Sequence, residues 1–234
     1  MKKLFRLVAS ASPQANILLT LATVLLFAKT LLLNRYPAPD QSIYELGILF
    51  EAILASVIAS YVFYLLVVHL KEHSDKQTVA PYVVKHTSRV VAECISQLYE
   101  IGKKSDVDID LDTLDEPTVT LALSKIAPYS PAPLVFLQTK ESANWLQYFE
   151  FHNNNSSKSI NRVLAQLPYL EAKHVSLLSA IDDCSHFLVV QQFQNHNISN
   201  SDLSAFATSF FEYCSLCRDL KNYAGDHMNH AKPG

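Results

Sequence analysis

Two long apolar runs near the N-terminus limit what this chain can fold into more than any other feature. The first run, residues 17–33, has the sequence ILLTLATVLLFAKTLLL, and the second, residues 46–70, has the sequence LGILFEAILASVIASYVFYLLVVHL. A helix of about 20 apolar residues crosses the roughly 30 Å hydrocarbon layer of a bilayer. Both runs are too long and too apolar for ordinary core helices. We therefore predict membrane spans at about 14–33 and 46–70, which form a transmembrane hairpin domain over residues 1–70.

The segment NRYPAPDQSIYE joins the two runs. It contains Pro37 and Pro39, which interrupt helices, so a short turn is expected there. A cleaved signal peptide is an alternative explanation of the first run, but the Ala-Ser-Ala triplet at 9–11 precedes the run, and no small-x-small cleavage site follows Leu33. A buried helical hairpin of a soluble protein is the other alternative. We predict that the first run is retained as a membrane span.

Basic residues mark one side of both apolar runs. Lys2, Lys3 and Arg6 precede the first run, and four basic residues lie within 71–89, whereas the connecting segment contains only Arg35. Cytoplasmic flanks of membrane spans carry the excess of Lys and Arg, so we predict that both termini are cytoplasmic. The four cysteines would then lie in a reducing compartment and remain thiols.

Two charged residues interrupt the apolar runs. Lys29 lies four residues from the outer end of the first run, and Glu51 lies five residues from the outer end of the second. Both are therefore roughly 6 to 8 Å inside the predicted outer boundary. One interpretation is that Lys29 extends to the interface while Glu51 is partly protonated. The other is a Lys29–Glu51 pair, within one hairpin or between neighbouring chains, which makes both residues functional candidates.

Small residues recur along the second run. Such residues let helix backbones approach closely, and serine hydroxyls can bond across the contact. Ala15, Ala22 and Lys29, spaced by seven, form a matching narrow face on the first run. The small residues serve either packing within the hairpin or self-association, and we predict a homo-oligomer. The candidates for membrane pairing or a pore are Lys29, Glu51, Ala52, Ala55, Ser56, Ala59 and Ser60.

Residues 71–234 are predicted to form a separate helical domain. Only 4 glycines occur in 234 residues, so dinucleotide and P-loop motifs are excluded and a β-rich fold is disfavoured. The domain has 14 basic and 19 acidic side chains, so direct nucleic-acid binding is not expected. We predict an all-α fold, with a bundle of five or six helices after the hairpin. Helices are expected at about 81–103, 117–126, 141–151, from Ser157 or Ser159 to Pro168, 169–193 and 202–223.

Polar and proline-rich segments separate these predicted helices. PYSPAPLVF is interpreted as a connector, HNNNSSKS and HNISNSD as loops, and the tail GDHMNHAKPG as disordered and dispensable. The acidic segment SDVDIDLDTLDE, residues 105–116, begins like a calcium loop. It lacks that loop's central Gly and terminal Glu, so we interpret it as a helix-capping loop or a docking surface for a basic partner.

One metal-site pattern occurs near the C-terminus. Cys214, Cys217, His227 and His230 form C-x2-C-x9-H-x2-H, which makes them candidate zinc ligands, although the gap is shorter than in a zinc finger. The cysteines follow an aromatic helical period, which is typical of core residues, so we expect no metal and no cofactor. Nucleophile elbows, metalloprotease pairs and kinase signatures are missing from the sequence, so we predict that the protein is not an enzyme.

The order of these segments is similar to that of a known class of membrane proteins. MKKLFR, the two apolar runs and the small helical domain together resemble the two-transmembrane effectors of bacterial anti-phage systems, including those encoded beside retron reverse transcriptases. The resemblance implies a bacterial inner-membrane protein of an abortive-infection system. It would be silent in a complex and would permeabilise the membrane when a regulatory partner releases it. A reverse transcriptase with its attached DNA is the partner implied. The alternative is a membrane-anchored scaffold or sensor subunit with no membrane-disrupting activity.

Overall fold

Helices account for most of this chain. The computed structural model describes residues 12–37, 39–193 and 198–228, and the chain divides into two units, Met1–Gln77 and Thr78–Gly234. Among the described residues, the β structure is a single sheet of two short strands. The predicted all-α class is therefore correct for the bulk of the protein and wrong for this sheet.

The first unit begins with an apolar helix, α1, at Pro13–Leu31. Ser12 caps it, because its hydroxyl accepts a hydrogen bond from the backbone N–H of Ala15 at 3.2 Å, and proline follows at the first helical position. A short 3-10 turn at Leu33–Arg35 follows the helix. The basic residues predicted to precede this helix lie outside the described residues.

The second apolar helix, α2, is Gln41–Phe63, so it begins five residues before the predicted start of the second span. A π-helical segment at Tyr64–His69 follows it, and helix α3, Leu70–Ser105, follows without a loop. The predicted domain boundary at residue 70 therefore falls within continuous helix. Pro81 was expected to begin a helix but lies inside α3, where its missing N–H removes one backbone hydrogen bond without ending the helix.

Two helices in the described part of the chain are long and apolar enough to cross a membrane. One is α1, and the other is the long helical segment Gln41–Ser105, whose apolar part begins with α2. In their most apolar windows, only 6% and 18% of the residues are buried.

The second unit is built around its last helix. Helix α4 is Glu116–Leu123, α5 is Trp145–Leu164, α6 is Ala172–Asp182, α7 is Ser185–Phe193 and α8 is Ala207–Met228. Helix α8 packs against α4, α6 and α7, while α5 packs against α6 and α7. The largest side chains fully buried in this core include Trp145, Tyr213, Phe149, Phe210 and Ile101.

The two strands replace part of the predicted connector. Strand β1, Pro131–Val135, pairs antiparallel with β2, Ser142–Asn144, and both strands contact α5. Prolines disfavour strands because they cannot donate a ladder hydrogen bond, but an edge strand tolerates them. Ala132 and Ala143 are buried beneath the hairpin.

The predicted HNNNSSKS loop is the middle of helix α5. Asn144 caps this helix in a capping box, in which its side chain accepts from the N–H of Gln147 and the Gln147 side chain accepts from the N–H of Asn144, each at 2.9 Å. His152, Asn153 and Ser156 are buried, so the polar run faces the interior as well as solvent. The segment therefore forms a helix although its composition is typical of loops.

The C-terminal helices also differ from the predicted boundaries. The helix predicted at 169–193 is two helices, because the chain turns at Asp183 between α6 and α7. The predicted break at Pro168 agrees with the 3-10 turn Leu167–Tyr169. Helix α8 continues to Met228, so the part of the tail at 225–228 is helical, and the rest of the tail lies outside the described residues.

Candidate functional site

Lys29 and Glu51 meet between α1 and α2. The Nζ atom of Lys29 lies 2.8 Å from Oε2 of Glu51, and their side chains are 13% and 32% exposed. Thr30 donates a hydrogen bond to Oε1 of Glu51 at 3.4 Å. The end of the lysine side chain lies beside Gly47, where a Cβ would be 3.7 Å from Nζ. The two charges that interrupt the apolar runs therefore neutralise each other within one chain.

A second polar contact joins the same two helices far from the ion pair. The hydroxyl of Tyr61 donates to Oδ1 of Asn16 at 2.5 Å, and Tyr61 is only 8% exposed. Ala22 is buried on α1, and Ala15 packs against the cluster formed by Tyr61 and Leu65. The inward positions of the second helical run follow the three- and four-residue spacing of helix packing; they are Gly47, Glu51, Leu54, Tyr61 and Leu65.

The remaining membrane candidates lie on a different face of α2. Ala52, Ala55, Ser56, Ala59 and Ser60 are all exposed in the single chain. The contact with α1 uses larger residues, such as the buried Leu54. The five small residues, which we call the small-residue face, are therefore not covered by α1.

The three candidate zinc ligands that the structure describes, Cys214, Cys217 and His227, are not brought together. Cys214 and Cys217 are fully buried in the core of the second unit, and burial raises the pKa of both thiols. His227 lies ten residues beyond Cys217 on the same helix, which corresponds to about 15 Å along the axis. Its ring stacks on Tyr223. His230 lies outside the described residues, among which no group of three or more His, Cys, Asp or Glu side chains is arranged to hold a metal.

All four cysteines of the protein are free thiols in the interior of the second unit. The sulfur of Cys94 lies 3.6 Å from that of Cys214, and burial raises the pKa of Cys184 to about 12. Because thiolates are the reactive form, these thiols are chemically inert in the folded state.

His186 is buried among aromatic rings in the same core. Its ring stacks 5.6 Å from Tyr213 and meets Phe149 and Phe210 edge-on. Neither ring nitrogen has a hydrogen-bond partner in the described part of the chain. Burial lowers the pKa of His186 from 6.5 to about 3, so the ring is neutral. The role of His186 is to fill the core.

A polar pocket of about 240 Å³ opens between α5, the end of α6 and α7. Sequence analysis missed it because its α5 wall lies in the segment taken for a loop. Asn153 is 6% exposed, yet neither of its side-chain polar atoms has a partner among the described residues. Ser157 donates to Oδ1 of Asp182 at 2.8 Å. Helical spacing in the sequence could have indicated this wall, because its residues on α5 recur three or four positions apart: Glu150, Asn153, Asn154 and Ser157.

Three polar features thus stand out: the charged pair of the first unit, and the thiols and the pocket of the second. Comparisons of the chain with protein-family models, with curated proteins and with solved structures found no match.

Proposed function

We propose that α1 and the apolar helix that begins with α2 form a transmembrane hairpin in a bacterial inner membrane, with both termini cytoplasmic. The observation that carries this proposal is the partly exposed ion pair between Lys29 and Glu51, which joins two otherwise apolar helices. A lone charge at the centre of a membrane helix costs about 2.5 to 3.5 kcal/mol on insertion scales. Mutual neutralisation lowers that cost for both residues.

The outer surface of these helices supports the same proposal. Ile17, Phe27, Leu49 and Phe63 are 67%, 61%, 57% and 62% exposed. Soluble monomers rarely leave a contiguous apolar patch larger than a few hundred Å² in water. A lipid bilayer would cover this apolar surface on all sides. In a soluble protein these side chains would instead be buried in the core.

We further propose that the protein is an effector that perturbs the membrane by self-association when a regulatory partner releases it. The exposed small-residue face supports this step, because small side chains let membrane helices of neighbouring chains pack closely. The architecture resembles that of two-transmembrane anti-phage effectors, for which a retron reverse transcriptase with its attached DNA is the corresponding partner. The acidic second unit would contact such a partner through its protein.

A second candidate function is a membrane-anchored scaffold or sensor subunit. The observation that favours it is that Lys29 and Glu51 satisfy each other within one chain, so that neither charge requires a neighbouring copy. An anchor of this kind would insert, hold the second unit at the membrane and leave the membrane intact.

Induction of the full chain in bacteria, with membrane potential followed by a fluorescent dye, separates the two functions. The effector proposal predicts depolarisation by the wild type and at least a tenfold smaller response from the A55L/A59L double variant. The matched control is I53L, at an exposed position of α2 outside the small-residue face. Equal depolarisation by all three proteins would remove the role of that face. No depolarisation by the wild type, expressed without genetic neighbours, would favour the anchor.

A further inference from the structure

The polar pocket of the second unit has two carboxylates and no basic side chain in its walls. Its polar lining comprises Glu150, Asn153, Asn154, Ser157, Asp182 and Gln191. Glu150 is half-buried and makes no ion pair among the described residues. Asp182 uses Oδ1 to accept from Ser157, so this hydroxyl fixes the carboxylate and leaves Oδ2 available. The charge of the pocket therefore selects a cation.

Asn153 adds an unsatisfied amide to this acidic pocket. The residue is 94% buried, given its 6% exposure, and both Oδ1 and Nδ2 lack partners in the part of the chain that the structure describes. A buried amide without partners is costly, and nearly all such groups in native proteins are hydrogen-bonded. A ligand that offers a donor to Asn153 would satisfy its acceptor atom, Oδ1.

The remaining wall of the pocket is apolar. Phe187 and Val190 are buried residues of α7 that line it together with the polar groups. A ligand that fits this combination has a cationic head for the carboxylates and a hydrocarbon stem for the α7 wall.

We propose that this pocket binds a guanidinium group, carried either by a free alkylguanidine or by an arginine side chain of a peptide. A guanidinium presents five N–H donors in one plane, which is enough donors for Glu150, Asp182 and Oδ1 of Asn153. The compact ammonium of lysine has three donors on a single nitrogen and spans these acceptors less well. The proposal does not depend on whether the first unit crosses a membrane.

The test measures binding to the full chain in detergent micelles by isothermal titration calorimetry. The probes are Nα-acetyl-L-arginine amide, its neutral isostere Nα-acetyl-L-citrulline amide, and agmatine. We expect saturable binding of the arginine probe and at least tenfold weaker binding of the citrulline probe, because a urea group lacks the charge. Tighter binding of agmatine assigns the site to a free small molecule, and tighter binding of the capped arginine assigns it to a peptide; either result supports the proposal.

Two conservative variants localise the binding. E150Q and D182N each keep the shape of the side chain, and D182N retains an oxygen that can accept from Ser157. Each should weaken binding of the arginine probe at least tenfold without lowering the melting temperature, and either one alone suffices if the other does not fold. E141Q, at an exposed glutamate outside the pocket, is the matched control. Equal binding of the arginine and citrulline probes, no saturable binding up to millimolar concentration, or equal affinity of E150Q and E141Q would overturn the proposal.

Discussion

The two units of this protein place large apolar side chains in opposite ways. In the first unit Phe27 and Phe63 are more than half exposed, while Lys29 and Glu51 turn towards each other between the helices. In the second unit Phe149 and Phe210 are fully buried, and the Lys221–Asp112 ion pair lies at the surface. Both units are helical, so secondary structure does not explain the contrast. The contrast indicates that the two units are built for different surroundings, which we propose to be lipid and water.

The largest expected effect compares a phenylalanine from each unit. F210A should lower the free energy of unfolding of the second unit by about 3 to 5 kcal/mol, because it removes a fully buried ring and leaves a cavity. F63A, at a ring that is 62% exposed, should leave that unit's stability unchanged. Urea unfolding in micelles, followed by the fluorescence of Trp145, measures both variants, since this buried residue is the protein's one tryptophan. Similar losses from both variants would contradict the contrast.

The next effect concerns the ion pair of the first unit. K29M leaves Glu51 without its cation and should cost about 2 kcal/mol of membrane insertion, because an unpaired carboxylate is costly within a membrane helix. The double variant K29M/E51Q should restore insertion. The fraction of the protein that resists carbonate extraction from isolated membranes measures its insertion. G47A is the control, because a Cβ at that position would make ordinary contact with Lys29 at 3.6 Å. Full insertion of K29M would show that the ion pair contributes nothing to membrane insertion.

A smaller effect on stability is expected from the buried histidine of the second unit. Burial lowers the pKa of His186 to about 3, so below pH 6.5 the unfolded chain takes up a proton that the folded chain does not. Stability therefore falls as the pH falls, by about 1 kcal/mol between pH 7 and pH 5.5. The pKa of His174 is also lowered by burial and shifts stability in the same direction. Urea midpoints should show a flatter pH dependence for H186F than for the wild type, whereas H227F, at an exposed ring, should not differ from the wild type.

An effect of similar size is expected at the start of helix α5. N144A removes the cap that accepts from the N–H of Gln147 and should lower the free energy of unfolding by about 1 kcal/mol. N154A, at an exposed position inside the same helix, is the control and should change stability by less than about 0.5 kcal/mol. Trp145 lies directly after the cap, so its fluorescence reports the loss. Equal losses would show that the cap is not formed.

Sequence patterns predicted the apolar helices better than the helices of the second unit. A run of about 20 apolar residues has few alternative structures, so the range of α1 was close to the predicted one. The helical character of residues 46–70 was also predicted, but the helix begins at Gln41 and continues beyond residue 70. The acidic segment at 105–116 was interpreted as a helix-capping loop or a docking surface, and the capping role is observed at Asp115, which accepts from the N–H of Thr118 at 2.8 Å at the start of helix α4.

Polar residues in the core explain why the second unit was harder to predict. His152 pairs with Glu93 at 2.6 Å and Thr87 contacts His174 at 3.0 Å, so α3, α5 and α6 bury polar side chains that composition assigns to loops. Pro131 was taken for a linker although it begins a strand, because pairing depends on a partner strand eleven residues later. The pocket was not predicted for the same reason: Asp182 contacts Ser157 only after α5 and α6 have packed against each other.

Labelling of single cysteines in intact cells tests the central claim most directly. The native cysteines are buried, so they give little background reaction with a membrane-impermeant maleimide. D40C lies in the exposed turn between α1 and α2, and K71C lies at an exposed position after the π-helical segment. A transmembrane hairpin with both termini cytoplasmic predicts labelling of D40C in intact cells and labelling of K71C only after permeabilisation. Equal labelling of both sites in intact cells, or of neither until permeabilisation, would contradict it.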